Sequence, residues 1–150
     1  MKNTGYFQPT ADGLERNVKE MATSRCVLVC VTRQISCERL ILRGADLAKY
    51  HGLPLNIVHV AANGASLLGN PSEGEALDFL FTCAKNQGAD LNVLRSDNVV
   101  ETLVRMAKEN SAAMMVLGES RQNSKEDDSI IWQLRALLPH TDIQVISSLE

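Results

Sequence analysis

Four cysteines and three histidines are the side chains with which this sequence could hold a metal or attack a substrate. The cysteines stand at 26, 30, 37 and 83, and the histidines at 51, 59 and 140. No Cys-x-x-Cys pair and no His/Cys cluster occurs, so no metal site is expected. Cys26 and Cys30 lie four apart in the run CVLVCV. A strand would put both on one face, a poor arrangement for a disulfide. Buried, reduced thiols are therefore expected, which fits a cytoplasmic chain. His51 should fall at a helix end and His140 in a turn, while His59 should pack within a strand rather than catalyse. The sequence contains no Gly-x-Ser-x-Gly elbow, no Gly-x-Gly-x-x-Gly and no phosphate loop ending in Gly-Lys-Ser/Thr. With no base placed beside a nucleophile, the chain is not read as an enzyme.

Placing these residues requires the elements around them. From Arg25 onward, apolar runs of strand length alternate with helical patterns. Cys26–Val31, Leu55–Val60, Asp90–Leu94, Ala113–Leu117 and Asp142–Ile146 read as strands. Ser36 is expected to cap a helix with Leu40, Ile41, Gly44, Leu47 and Ala48 on one face, stopped by Gly52 and Pro54. Ser72 and Glu75 form a capping box ahead of Leu77, Leu80, Phe81 and Ala84, with Gly88 as the C-terminal stop. Asn98 and Glu101 open a third helix, on Val100, Leu103, Val104 and Ala107. Ile130, Ile131, Leu134, Leu137 and Leu138 mark a fourth, ended by Pro139. The order β-α-β-α-β-α-β-α-β predicts an α/β fold, a five-stranded parallel sheet with helices on both faces in three layers. Strands one and four are nearly unbroken apolar runs, as strands buried on both faces should be. In such folds ligands bind at the carboxyl ends of the strands. That points to the loops after the first, second and fourth strands.

Composition bounds the function. The 150 residues are 45% hydrophobic and 22% charged, with a net charge of −3. That suffices for one core and argues against nucleic acid as the partner. No apolar run reaches the roughly 18 residues of a membrane span. The segment MKNTGYFQPTADG lacks the apolar stretch of a secretory signal. Residues 1–24 read as an appendage, partly helical through Leu14, Val18 and Met21, and residues 25–150 as the domain proper.

The run Cys30-Val31-Thr32, then Glu38-Arg39-Leu40-Ile41 with Gly44 and Leu47-Ala48, then Val116-Leu117-Gly118 with Ser120-Arg121, and finally Asp142-Ile143-Gln144-Val145, occur in this order. Together they resemble the universal stress protein family across about residues 25–148. Within it, the chain looks most like the stress-protein-like domain of KdpD-type osmosensitive potassium-channel histidine kinases. The resemblance implies a Rossmann-like regulatory module, and in many members ATP binding. Its signature is an Asp ending strand one and a loop Gly-x-x-Gly, about nine residues, then Gly-Ser/Thr after strand four. Glycines there let backbone N–H groups reach phosphates.

This sequence departs from that signature. Thr32 stands where the Asp belongs, Arg121 replaces the second glycine, and the final pair falls near Ser129-Ile130. Between Glu119 and Asp128, two cations face four anions, a net of −2. At about 5–6 Å each like-charge contact with a phosphate costs about 3 kcal/mol at an effective dielectric near 20. The expectation is a non-catalytic regulatory module with a degraded ATP loop and no certain cofactor. The alternative is a nucleotide sensor, for ATP, AMP or a cyclic dinucleotide, using Thr32, Arg33, Gln34, Gly118, Ser120, Arg121 and Ser129. The last strand, with Asp142, Ile143 and Val145, lacks the proline or lysine that would block pairing, so a homodimer through it is expected. A sensor kinase or another regulatory protein is the expected partner.

Overall fold

A computed structural model describes residues 25–119 and 125–147. The helix expected around Leu14, Val18 and Met21 lies outside them. β1 (Cys26–Val31) is followed by α1 (Gln34–His51), β2 (Leu55–Ala61), a short 3-10 turn (Leu67–Gly69) and α2 (Glu73–Asn86). Then come β3 (Asp90–Arg95), α3 (Val99–Glu109), β4 (Ala112–Gly118), α4 (Lys125–Leu137) and β5 (Asp142–Ile146). All four strand pairs are parallel, in the order β3-β2-β1-β4-β5. The fold expected from the sequence is the fold observed.

β1 is the axis. All six of its residues are buried, and its side chains divide by parity, as a strand requires. Val27, Val29 and Val31 pack with Leu40, Ile41 and Leu80 of α1 and α2. Cys26, Leu28 and Cys30 pack with Leu103, Met106 and Leu134 of α3 and α4. From β1 the chain builds outward through β2 to β3, then returns across to β4 and β5. The sheet order therefore reverses between β1 and β4, where Cys30 pairs with Leu117.

The helix ends follow local chemistry. Gly52, at φ 67, closes α1 by donating its N–H to the Ala48 and Lys49 carbonyls. Ser72 Oγ accepts the Glu75 N–H at 3.4 Å, and Asn98 Oδ1 accepts the Glu101 N–H at 3.1 Å. Gly88, at φ 63, follows the end of α2.

Three expectations need correcting. α1 begins at Gln34, with Arg33 at its N-cap, and Ser36 lies inside it. Ser36 Oγ donates to the Arg33 carbonyl instead of capping. Phe81 is 67% exposed, because α2 buries the stripe Ala76, Leu80 and Ala84 and Phe81 sits about 100° round from Leu80. Leu137 is half exposed for the same reason, beside the buried pair Leu134 and Leu138.

Gly44 lets α1 lie against the sheet. A Cβ there would collide with Val29 Cγ2, which belongs to a stiff, fully buried side chain on the central strand. Gly44→Ala is expected to lower stability by about 1–3 kcal/mol. Denaturant midpoints at an unchanged m-value would register it, and an unchanged midpoint would contradict this packing.

Candidate functional site

The carboxyl ends of β1 and β4 lie side by side, and the loops after β1 and β2 rise around an open cleft of about 610 Å³. Arg33, Gln34 and Ile35 form one wall, and Leu68, Gly69, Asn70 and Pro71 the other. The first wall is the start of α1. That helix begins with no side-chain cap and no carboxylate in its first turn, and its N-cap residue is the exposed Arg33. The helix dipole and the guanidinium thus carry the same sign, which favours an anion.

The second wall is held by long-range contacts. Asn70 Nδ2 donates to Gln34 Oε1 at 2.9 Å, directly across the cleft. Asn70 Oδ1 accepts the Ser72 N–H at 2.9 Å. Leu68 has left-handed backbone, at φ 56, and its side chain is buried. Its N–H donates to His59 Nε2 at 3.0 Å. The other ring nitrogen, His59 Nδ1, lies 2.8 Å from the Val31 carbonyl at the end of β1. An acceptor at Nε2 fixes the proton on Nδ1, so the ring is neutral. Burial holds the His59 pKa below the ordinary imidazole value, and the Arg95 charge adds to the effect against the bond to Val31.

Further out, Arg95 at the end of β3 braces the loop after β2. Its guanidinium donates to the Ala62 and Ala65 carbonyls at 3.2 and 2.8 Å and to Glu73 at 2.8 Å. Asp97 accepts from the Asn63 backbone and side chain at 3.0 and 3.2 Å. These bonds are exposed and individually modest, but they share one loop.

The structure brings Thr32, Arg33 and Gln34 together at the cleft and its rim. Gly118 ends β4, next to β1, where a Cβ would come within 3.2 Å of Leu40 Cδ1. Its small size thus serves packing against α1. Ser120 and Arg121 lie outside the described residues, as does the side chain of Ser129 in α4. Asn70, Leu68 and His59 were not expected at the site. Nothing local to His59 in the sequence tells that it reaches Leu68.

The thiols offer no reactive centre. All four cysteines are free, and Cys26, Cys30 and Cys37 are buried. Burial pushes their thiols to about 11, 12 and 12 respectively, and that of Cys83 upward as well. Such thiols stay protonated at neutral pH. Among the described residues no group of three or more His, Cys, Asp or Glu side chains could hold a metal.

Comparison with known proteins places this geometry. The sequence model of the universal stress protein family matches residues 23–138. The chain is 29% identical over 154 aligned residues to a putative sensor protein KdpD of Synechocystis, covering 95% of this chain and 40% of that protein. It therefore spans less than half of that relative. Among solved structures it is similar to the universal stress protein of Archaeoglobus fulgidus in complex with dAMP, at TM-score 0.53 and 18% identity, covering 82% of this chain and 96% of that one. It is also similar to a universal stress protein in complex with cAMP, at TM-score 0.57 and 16% identity, covering 82% and 95%. At such identities the structures establish the fold.

Asn70 is the cross-link that can be removed most cleanly. Asn70→Ala is expected to cost about 1–2 kcal/mol, the net worth of its two hydrogen bonds, to Gln34 and from the Ser72 N–H. Hydrogen exchange should quicken at residues 68–72 and stay unchanged in β1. Uniform exchange across both segments would show that Asn70 does not hold this wall.

Proposed function

We propose, for a chain that belongs to the universal stress protein family, a non-catalytic regulatory role in which a small nucleotide occupies the carboxyl-edge cleft. The observation that carries this reading is the start of α1. An uncapped helix with Arg33 at its head opens into a cleft of about 610 Å³. One phosphate can be held there by the helix dipole and the guanidinium. Gln34 on the same wall and Asn70 on the facing wall offer amides to a base or ribose.

The loop after β4 is read as degraded for triphosphate binding. Thr32, Arg121 and the excess of carboxylates between Glu119 and Asp128 all oppose it. Ser120, Arg121 and Ser129 are then left to touch the rim of a smaller ligand. Two structural neighbours carry adenosine monophosphates, dAMP and cAMP, by their own descriptions, which supports a ligand with one phosphate. The likeness to a putative sensor protein supports a signalling context in which the module answers to, or acts on, a kinase-type partner.

Titration calorimetry with AMP, cyclic AMP and ATP tests the reading. The monophosphates should bind better than ATP, and Arg33→Glu should weaken them about tenfold, the loss of one charge-assisted bond. Arg121→Ala should weaken them less, with a shallower salt dependence than the parent. Affinity unchanged in Arg33→Glu would remove the site, and ATP that co-purifies would overturn the degraded loop. ATP offered to the protein should release no phosphate over many turnovers.

A homodimer is proposed on β5. It is an edge strand, with Ile143 and Ile146 buried and Gln144 and Val145 half buried. Pairing of two copies about a two-fold axis would satisfy its outward backbone groups. Light scattering at micromolar concentration should give twice the chain mass, and Gln144→Lys should return the monomer. A parent protein that is already monomeric would end this reading.

A further inference from the structure

His59 is a buried side chain whose two ring nitrogens join a cleft residue, Leu68, to the end of the central strand at Val31. It sits on β2, 3% exposed, below the cleft rather than in its lining. Nδ1 reaches the Val31 carbonyl, two residues before Arg33. Nε2 reaches the N–H of Leu68, itself a cleft residue. The imidazole therefore ties one wall, at Leu68, to the end of β1, two residues before the other wall begins. Above it, the Gln34–Asn70 bond joins the two walls directly.

We propose that His59 is the positioning residue of the cleft, a neutral strut with its proton on Nδ1, and that a second proton on Nε2 releases the Leu68 wall and lowers ligand affinity. This rests on the reading of the cleft as a nucleotide site. Chemistry gives the sign. A doubly protonated imidazole has two donors and no acceptor, so Nε2–H would point at the Leu68 N–H. Two donors cannot bond, and one buried N–H would lose its partner. The bond to Val31 survives, because Nδ1–H donates in both states.

The surroundings oppose the added charge. Arg95, at the end of β3, repels an imidazolium and is itself paired with Glu73 from α2. Arg33 follows β1, and α1 brings the protonated Cys37 thiol to the same core layer. Because the folded state disfavours the proton and the unfolded state accepts it near 6.5, the contribution of His59 to stability is present above that pH. It is lost as pH falls toward and through the lower folded value.

The test uses the full chain labelled with ¹⁵N, and cyclic AMP as the probe, since its phosphodiester keeps one negative charge over the range. Above pH 7 the His59 ring should show the Nδ1–H tautomer and a protected Leu68 amide. On acidification, ring protonation and loss of Leu68 protection should occur in one step below the ordinary imidazole range. Cyclic AMP affinity should fall about tenfold through that step. His59→Gln, which does not titrate, should stay folded and bind with little dependence on pH. His59→Leu comes close to the volume, removes both bonds and should lose Leu68 protection at every pH. An Nε2–H tautomer, or a ring that protonates while the Leu68 amide stays protected, overturns the strut. Affinity in the parent that ignores the ring's protonation overturns its positioning role. Failure of cyclic AMP to bind at any pH would instead remove the ligand reading, and with it the affinity clause, while the ring and the Leu68 amide still decide the strut.

Discussion

β1 has no exposed residue, and that single constraint organises the molecule. A strand buried on both faces needs a helical layer on each, and neighbours on both edges. The alternation of valines with Cys26, Leu28 and Cys30 sends each set into its own layer. With β1 in the centre, the chain must build outward in one direction and come back to build in the other. The reversal between β1 and β4 follows, and it leaves a gap between loops that diverge to opposite faces. The cleft lies beside that point, between the loops that follow β1 and β2.

The same burial decides the chemistry of the centre. Three cysteines held in apolar surroundings keep their protons, and His59 stays neutral for the same cause. At the carboxyl edge polarity returns in Arg33, Gln34 and Asn70, and on the outer loop through Arg95 and Asp97. What this edge offers is placement and one sign of charge.

Much of this was legible in the sequence because much of it is periodic. Strand parity, the glycine after α1 and the caps Ser72 and Asn98 are signals written within a few residues, and each element appeared where they put it. The misreadings share a cause. Ser36 looked like a cap, but β1 runs to Val31 and leaves only two residues before the helical turn must start. Phe81 looked like core, but α2 packs closely on Ala76 and Ala84, so the aromatic ring is rotated outward. At the site, Arg33 and Gln34 were visible as the loop after the first strand. Asn70, Leu68 and His59 were not, because their roles consist of bonds between residues 9 to 36 positions apart. No local pattern encodes such a bond. The charge pattern of the loop after β4 was readable from composition alone, without its conformation.

The left-handed backbone at Leu68 has an energetic side. A leucine at φ 56 forgoes about 1–2 kcal/mol relative to ordinary backbone, where a glycine would forgo almost none. The wall is therefore sprung. The buried side chain, the imidazole that accepts its N–H and the Asn70–Gln34 bond together offset that cost. A glycine at that position would fit the turn with less tension, but it would remove the buried leucine and leave the imidazole and Asn70 to hold the wall.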